Sequence, residues 1–308
     1  KAQWRTPITG TYEGYKIISM APPSSGGIAL MQLLKSVEER EIGSHNSVQA
    51  THLFTEAQRR VYADRATHLG DADFYKVPIA SLLDSVYNAN RMSDFSPTSK
   101  TNSDSIAAGL FPAVESEETT HFSIVDPFGN AVSVTTTLNG GYGSKVVIAK
   151  AGFILNNEMD DFSIKPGFPN MFGLVGGKAN AIEPGKRMLS SMTPTILEKD
   201  GELFMVVGTP GGSTIITSVF QAIMNVLEHD MTMQEAVAAG RVHHQWKPDV
   251  IFYEEGVINS ADSLKLTEMG HTLRTRGEYG KVDAILVLPD GTLEGGEDPR
   301  GDDMAVGF

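Results

Sequence analysis

Thr119-Thr120-His121 opens a strand-like run that continues through Phe122-Ser123-Ile124-Val125-Asp126, directly after the acidic stretch Glu115-Ser116-Glu117-Glu118. A hydroxyl residue at that junction carries chemistry if the Glu118–Thr119 bond is cut. Thr119 would then hold a free α-amine beside its own hydroxyl, so nucleophile and base sit in one residue. An α-amine titrates at about 7.7–8.0, close to where a general base works at neutral pH. Taken locally, the pattern has a plain alternative, because paired threonines are ordinary strand residues.

A second group could serve the same reaction. Residues 203–208 read as a strand, and Gly211-Gly212 follow it. An amphipathic helix then begins at Ser213, with Ile216, Val219, Phe220, Ile223, Met224 and Leu227 on its apolar face. N–H groups at a helix start lack intrahelical partners, and glycine permits close approach, so the pair is the oxyanion-hole candidate. The same glycines would suit a tight turn. A phosphate cradle is less apt, since Thr209-Pro210-Gly211-Gly212-Ser213 lacks the Gly-Lys-Ser/Thr ending of a nucleotide-binding loop. His243-His244 invites a metal reading. Adjacent histidines on a helix point in different directions, and no acidic cluster at ligand spacing accompanies them. The expectation is no metal, and packing of these histidines near Trp246.

These groups need a scaffold. A strand over Tyr15–Met20 is broken by Pro22-Pro23-Ser24-Ser25-Gly26-Gly27, which leads into a helix through Ile28, Met31, Leu34 and Val37. Leu53, Ala57 and Val61, at spacing four, suggest a second helix over 50–63. Residues 96–109 are rich in Ser, Thr, Asn and Asp and lack periodicity, so they read as a mobile loop. Such a loop suits a bond that must distort before it breaks. A hairpin follows, with strands 120–126 and 131–138 around Pro127-Phe128-Gly129-Asn130. Its register matters. A three-residue turn sets Thr119 against Thr137, whereas a four-residue turn sets Thr119 against Leu138 and sends Thr137 to the other face. Thr232 with Glu235 has the capping-box pattern, and Ala284–Leu293 forms a strand pair around Pro289-Asp290-Gly291. Strand-rich and helix-rich segments alternate without an internal repeat, as in an α/β sandwich.

Composition sets outer limits. The 308 residues are 41% hydrophobic and 20% charged, ordinary for a globular protein with one sizeable core or two small ones. A net charge of −13 argues against nucleic acid or an anionic membrane as partner, and no apolar run is long enough to span a bilayer. The absence of cysteine removes disulfides and thiolate chemistry. The chain starts at Lys1 without a visible signal peptide, which suggests a processed or trimmed product.

Further motifs extend the pattern. They include Trp4-Arg5-Thr6-Pro7, Tyr62-Ala63-Asp64-Arg65, Asn156-Asn157-Glu158-Met159-Asp160-Asp161, Leu189-Ser190-Ser191-Met192-Thr193-Pro194, His243-His244-Gln245-Trp246 and Asp298-Pro299-Arg300. In this order and spacing, over nearly the whole chain, the sequence closely resembles the γ-glutamyltranspeptidase family of N-terminal-nucleophile hydrolases. The resemblance implies a four-layer αββα sandwich, self-cleavage between Glu118 and Thr119, and transfer of a γ-glutamyl group from glutathione or a related amide to water, an amino acid or a peptide. It implies no cofactor, because the Thr119 amine supplies the base. It also divides the chain, with 1–118 as the C-terminal part of a large subunit and 119–308 as the small catalytic subunit, held together as a heterodimer. Export to the periplasm or medium is implied as well.

The resemblance assigns roles residue by residue. Thr119 is the nucleophile, Thr137 holds its hydroxyl by contact, and Gly211 and Gly212 form the oxyanion hole. Asn139, Glu158 and above all Asp161 receive the substrate's α-ammonium, and Ser190 and Ser191 its α-carboxylate. Pro166–Gly173 resembles a lid loop, with Phe172 where many members carry a tyrosine gate, so one hydroxyl hydrogen bond is lost there. Family members also carry an upstream segment, with an arginine that clamps the α-carboxylate, and this sequence lacks it. The isolated chain is therefore expected to turn over γ-glutamyl substrates poorly until another polypeptide completes it. Two alternatives stay open: a sister amidase (a cephalosporin-type acylase or a poly-γ-glutamate depolymerase), or an uncut, non-catalytic precursor or binding protein.

Overall fold

The structure, a computed structural model, describes residues 2–106, 119–163, 165, 167–168, 170 and 174–307. The chain opens with β1 (Ile8–Tyr12) and β2 (Tyr15–Ser19), then helices α1 (Gly26–Val37), α2 (Val48–His68), α3 (Ile79–Leu83) and α4 (Ser85–Arg91). Hairpins β3 (Thr120–Val125) to β4 (Ala131–Thr136) and β5 (Val147–Ile148) to β6 (Phe153–Ile154) follow, then a 3₁₀ turn over Glu158–Asp161. Next come β7 (Thr195–Lys199), β8 (Glu202–Gly208), α5 (Thr214–Leu227) and α6 (Met233–Ala238). The chain ends with β9 (Val242–His243), β10 (Ile251–Glu254), α7 (Ser260–Glu268), β11 (Leu273–Arg276), β12 (Asp283–Val287) and β13 (Leu293–Gly296).

One antiparallel sheet, ordered β1-β2-β7-β8-β12-β13, forms the centre. Two of its hairpins turn on Glu13-Gly14 and Asp200-Gly201, where both positions take positive φ (45° and 82°; 53° and 87°). That backbone gives a two-residue turn the twist its strands need. Helix α1 lies against β1 and β2, and α5 against β8 and α1. Ile28, Leu30, Leu33 and Leu34 of α1 and Ile216, Val219, Phe220 and Ile223 of α5 have no exposed surface. A helix this apolar on several sides belongs inside, and truncating one such side chain, Leu30→Ala, costs about 2–5 kcal/mol. No described helix is long and apolar enough to cross a membrane.

Helix α2 runs five residues beyond the expected end and two before the expected start. It is buried in spite of its charges: His52, Glu56, Arg59, Arg60 and Arg65 are each at most 4% exposed. Glu56 accepts from Arg59 Nε at 3.2 Å, Arg60 Nη1 at 2.7 Å and the Thr101 amide at 3.1 Å. Burial pushes the Glu56 carboxyl up, but Arg59 and the Arg60 hydrogen bond hold it at about 2.

That network corrects the expectation of a mobile loop. Of residues 96–109, the described part, 96–106, is fastened at Lys100, Thr101 and Ser103. Arg60 Nη2 donates to Thr101 Oγ1 at 2.9 Å, the Lys100 amide to Met269 O at 2.8 Å, and Trp246 Nε1 to Ser103 O at 2.9 Å. Polar composition does not show that Thr101 and Ser103 bond to buried charges on α2, while Thr98, Ser99, Asn102, Asp104 and Ser105 stay exposed.

On the face of the sheet opposite α1, hairpin β3–β4 packs over β7, β8 and β12. Ser133 Oγ donates to Val207 O at 3.1 Å and Ser123 Oγ to Asp283 O at 3.2 Å. The hairpin turns polar residues inward and apolar ones outward: Phe122, Ile124 and Val132 are 44%, 51% and 46% exposed.

Candidate active site

The β3–β4 register pairs Thr120 with Thr136 and Val125 with Ala131, which leaves Pro127–Gly129 as the turn. Thr119 therefore opposes Thr137, and its hydroxyl donates to Thr137 Oγ1 at 3.3 Å. Period-two alternation puts Thr119 on the same face as His121 and Ser123, turned toward the main sheet. Thr137 Oγ1 also accepts the Asn139 amide at 2.9 Å. Asn139 has φ 75°, a left-handed backbone that asparagine tolerates better than most residues. Its side chain donates to Asn157 O at 3.2 Å, tying the end of the hairpin to the acidic turn that follows.

His121 sets the seat of this hairpin. Its Nδ1 lies 2.8 Å from Thr135 Oγ1 and its Nε2 3.1 Å from Ser123 Oγ. Burial lowers its pKa to about 4, so the ring is neutral at working pH. The ring stacks against Gly208 at the end of β8, where an added Cβ would meet its atoms at 2.1–2.6 Å. Just beyond, Gly211 and Gly212 take φ 134° and 54° before α5, whose first residue is Thr214 rather than Ser213. Gly211 O and Gly212 O accept the amides of Thr214 and Ile215.

The 3₁₀ turn carries two unusual carboxyls. Burial raises Glu158 to about 7, and its Oε2 is enclosed with no hydrogen-bond partner among the described residues. Burial, then the nearby Glu158, raises Asp161 to about 7 against the opposing charge of Arg65. The two carboxyls interact, so they titrate as a pair. Asn180 fixes the turn: its Nδ2 donates to Asp161 O at 2.7 Å while its Oδ1 accepts the Leu189 amide at 2.9 Å. One asparagine thus joins the acidic turn to the segment carrying Ser190 and Ser191.

That serine pair is backed by Pro23-Ser24-Ser25. The Ser25 amide donates to Ser190 O at 2.8 Å, the Ser190 amide to Pro23 O at 3.1 Å, and Ser24 Oγ to Met192 O at 2.7 Å. Gly26 must be glycine here, because a Cβ would lie 2.3 Å from Met192 O. Ser190 Oγ accepts the Met192 amide at 3.0 Å, and Ser191 Oγ accepts from Arg65 Nη2 at 2.9 Å. Both hydroxyl oxygens are thereby occupied as acceptors. Their protons, with no acceptor among the described residues, are left to donate to an anion.

Thr119, Thr137, Asn139, Asp161, Ser190, Ser191 and Gly212 line one cavity together with Arg65, Leu174, Leu189, Met192 and Ile215. Its ≈ 30 Å³ compares with the roughly 10–15 Å³ that one water needs, so a larger guest must widen it. Glu158 and Gly211 are sequence neighbours of this lining but not part of it. Glu118 and Phe172 lie outside the described residues. Ser25, Arg65 and Asn180 were not singled out as site residues. Ser25 and Arg65 lay inside motifs already noted, but nothing in their spacing distinguishes a positioning group from a helix or loop residue.

The histidine pair sits on and after β9, a strand rather than a helix, and both rings are fully buried. His244 Nδ1 accepts the Trp246 amide at 3.1 Å, and His243 Nδ1 lies 2.8 Å from Thr217 Oγ1. A group that sequence reasoning missed is His52, Glu56 and His271, whose ligand atoms lie within 4.8 Å of one another. Its chemistry is that of a polar core. His52 Nδ1 and His271 Nε2 share a hydrogen bond at 2.7 Å, and Glu56 already neutralises two arginines that would repel a further cation.

Comparison with known proteins places this geometry. The family model described as Gamma-glutamyltranspeptidase matches residues 1–308. The chain is 46% identical over 312 residues to a "Glutathione hydrolase proenzyme" of Escherichia coli (strain K12), covering 100% of this chain and 53% of that relative. The chain thus spans about half the length of the curated relatives it matches. A mutant γ-glutamyltranspeptidase from Helicobacter pylori superposes with TM-score 0.58 at 54% identity, over 59% of this chain and 100% of that one. A cephalosporin acylase from Bacillus halodurans superposes with TM-score 0.80 at 22% identity, over 98% of this chain and 53% of that one, a likeness of fold. The architecture is the mixed α/β fold of N-terminal-nucleophile hydrolases. The described residues supply helices α1 and α5, a six-stranded sheet and one hairpin packed on that sheet.

Proposed function

This chain belongs to the γ-glutamyltranspeptidase family, and from that we propose that, completed by an upstream segment, it hydrolyses or transfers γ-glutamyl amides through Thr119. The observation that carries the reading is the convergence of Thr119, Thr137, Asp161, Ser190, Ser191 and Gly212 on one cavity.

The first step is maturation. Thr119 Oγ1 attacks the Glu118 carbonyl, the peptide C–N bond breaks, and the amine of Thr119 takes the proton. Water then hydrolyses the resulting ester, leaving a Glu118 carboxylate and a free Thr119 amine. In turnover that amine accepts the hydroxyl proton as Oγ1 attacks the γ-carbonyl. The oxyanion meets backbone amides at Gly211-Gly212, the two glycines that precede the α5 N-cap Ser213 and let the backbone approach closely. The leaving amine takes the proton, and water or an acceptor amine releases the glutamyl group from the ester. Asp161, with Glu158 and Asn139, suits an α-ammonium, and the Ser190 and Ser191 hydroxyls suit an α-carboxylate.

In this reading residues 1–118 and 119–308 are the two products of cleavage and stay together. The upstream segment of the longer relatives covers the outward apolar face of β3–β4, and the assembled enzyme works in the periplasm or outside the cell. The test uses the complete protein on paired γ-glutamyl and glutaryl anilides, with intact mass recorded. Turnover of the γ-glutamyl anilide by cleaved protein supports the proposal. Preference for the glutaryl anilide makes it an acylase instead, and a single uncut, inactive polypeptide removes the enzyme reading.

A further inference from the structure

Arg65 is a buried cation that the chemistry above does not use. We propose that Arg65 is a positioning residue for both halves of the amino-acid subsite: its guanidinium orients Ser191 and, through Ser25, Ser190, while its fixed charge balances Asp161. The inference rests on the proposed function and names a residue for it.

Arg65 sits in the last turn of α2 and is 4% exposed. Its Nε donates to Ser25 Oγ at 2.9 Å and its Nη2 to Ser191 Oγ at 2.9 Å. Because a guanidinium only donates, both serine oxygens must accept. Ser25 then sends its own proton to Ser190 O at 2.7 Å. Ser191 sends its proton to whatever fills the cavity. One planar group therefore aims one hydroxyl directly and grips the backbone of the other through a single relay.

Charge gives the second argument. Among the described residues Arg65 has no carboxylate within ion-pair distance, an expensive state for a buried guanidinium. Burial pulls its pKa down, while Tyr62 and Asp161 pull it up. Both Arg65 and Asp161 line the cavity. The charged groups bearing on Asp161 are Glu158 and Asp160 from its own turn, which raise it, and Arg65 from α2, which lowers it. Without Arg65 that balance tips toward the protonated acid, which offers an ammonium no charge.

The test compares Arg65→Lys, Arg65→Met and Ser25→Ala in the complete protein. Asp161 ionisation is read from the carboxyl infrared band that Asp161→Asn removes, and KM and kcat are measured on a γ-glutamyl anilide. Arg65→Met should raise the infrared midpoint by at least about one unit. Arg65→Lys, which keeps the charge but not the fork, should leave that midpoint in place and raise KM about tenfold with kcat little changed. Ser25→Ala should raise KM without moving the midpoint. An unmoved midpoint in folded Arg65→Met overturns the proposal. If Arg65→Met does not fold, unchanged KM in the other two variants overturns it. The infrared result stands whether or not the parent turns over γ-glutamyl substrate, so failure of the functional reading is seen separately.

Discussion

The Oγ1 atoms of Thr119 and Thr137 lie 3.3 Å apart across the open end of the β3–β4 hairpin. That contact exists because the hairpin closes on a three-residue turn, and a one-residue slip would replace Thr137 with Leu138. Thr119→Ala should therefore leave a single uncut polypeptide without turnover, while Thr119→Ser should still cleave. Thr137→Ala keeps the nucleophile but loses its partner and should slow both cleavage and turnover by roughly 10²-fold. Denaturing electrophoresis and intact mass decide the first point. Normal cleavage in Thr119→Ala removes Thr119 as nucleophile.

Asp161 and Glu158, both raised to about 7, predict an acid limb in the pH profile. An α-ammonium needs a carboxylate, so kcat/KM should rise with pH through about 7. The kcat limb should lie lower, since bound ammonium favours the ionised form. Stability runs the other way. A carboxyl whose folded pKa lies above its unfolded value binds more protons when folded, so its contribution is lost as pH rises from about 4 to about 7. Asp161→Asn should remove most activity and leave in kcat/KM only the limb set by Glu158 and the Thr119 amine. A parent profile flat between pH 5.5 and 8.5, roughly the range where such a limb must show, would sink the assignment.

His121 and Gly208 make a second pair open to test. Gly208→Ala places a methyl 2.1 Å from the ring, and both strands are pinned, so the hairpin must lift. The expected cost is about 1–3 kcal/mol in denaturant unfolding, with reduced cleavage because Thr119 is two residues away. Adding His121→Ala should return part of that stability, since the clash then has no ring to meet. Simple additivity of the two substitutions would show that the pair is not coupled.

Much of this arrangement was legible in the sequence, for definite physical reasons. The hairpin strands, α1, α5 and the capping box at Thr232 follow from local rules, and the box forms as expected. The fate of α2 was not legible. Its mean pattern is polar, yet it is buried because Glu56, Arg59, Arg60 and Arg65 are matched by Asp249, Thr101, Ser25 and Ser191, residues distant in sequence. The same distance hid the fastening of 96–106. Strand β7 was missed although Asp200-Gly201 marks its turn, a signal available locally. Arg65 could be noted as part of a motif, but its role needs the fold that carries Ser191 to it.

The outward face of β3–β4 predicts assembly. Phe122, Ile124 and Val132 sit side by side on a hairpin whose inward face carries His121, Ser123, Ser133 and Thr135, the reverse of the usual arrangement for a sheet with one wet face. Changing Phe122, Ile124 and Val132 to threonine keeps strand propensity and removes the apolar patch. The altered chain alone should be more soluble than the parent. When co-expressed with the upstream segment it should assemble and turn over substrate less well. Size-exclusion chromatography checks both, and undiminished assembly would show that the segment docks elsewhere.

Acid should weaken the part of the stability that rests on the buried histidines. Burial holds His121 at about 4 and His271 at about 3, and His244, also lowered first by burial, at about 3. A histidine with a folded pKa below its unfolded value leaves the unfolded state binding more protons, so stability falls as pH drops below about 6.5. At pH 5 each such ring costs roughly 2 kcal/mol relative to pH 7, and the loss saturates only below its folded value. His121 differs from the other two in where the cost lands. His244 and His271 belong to the network around α2, whereas His121 holds the hairpin that carries Thr119. His121→Gln keeps hydrogen-bonding capacity without the titration. It should lower stability at pH 7 modestly and make the change from pH 7 to pH 5 less unfavourable by roughly 2 kcal/mol, whatever Glu158 and Asp161 add in the opposite sense. Denaturant midpoints at the two pH values decide it, and an equal decline in parent and variant would mean that His121 is not a neutral ring in the folded state.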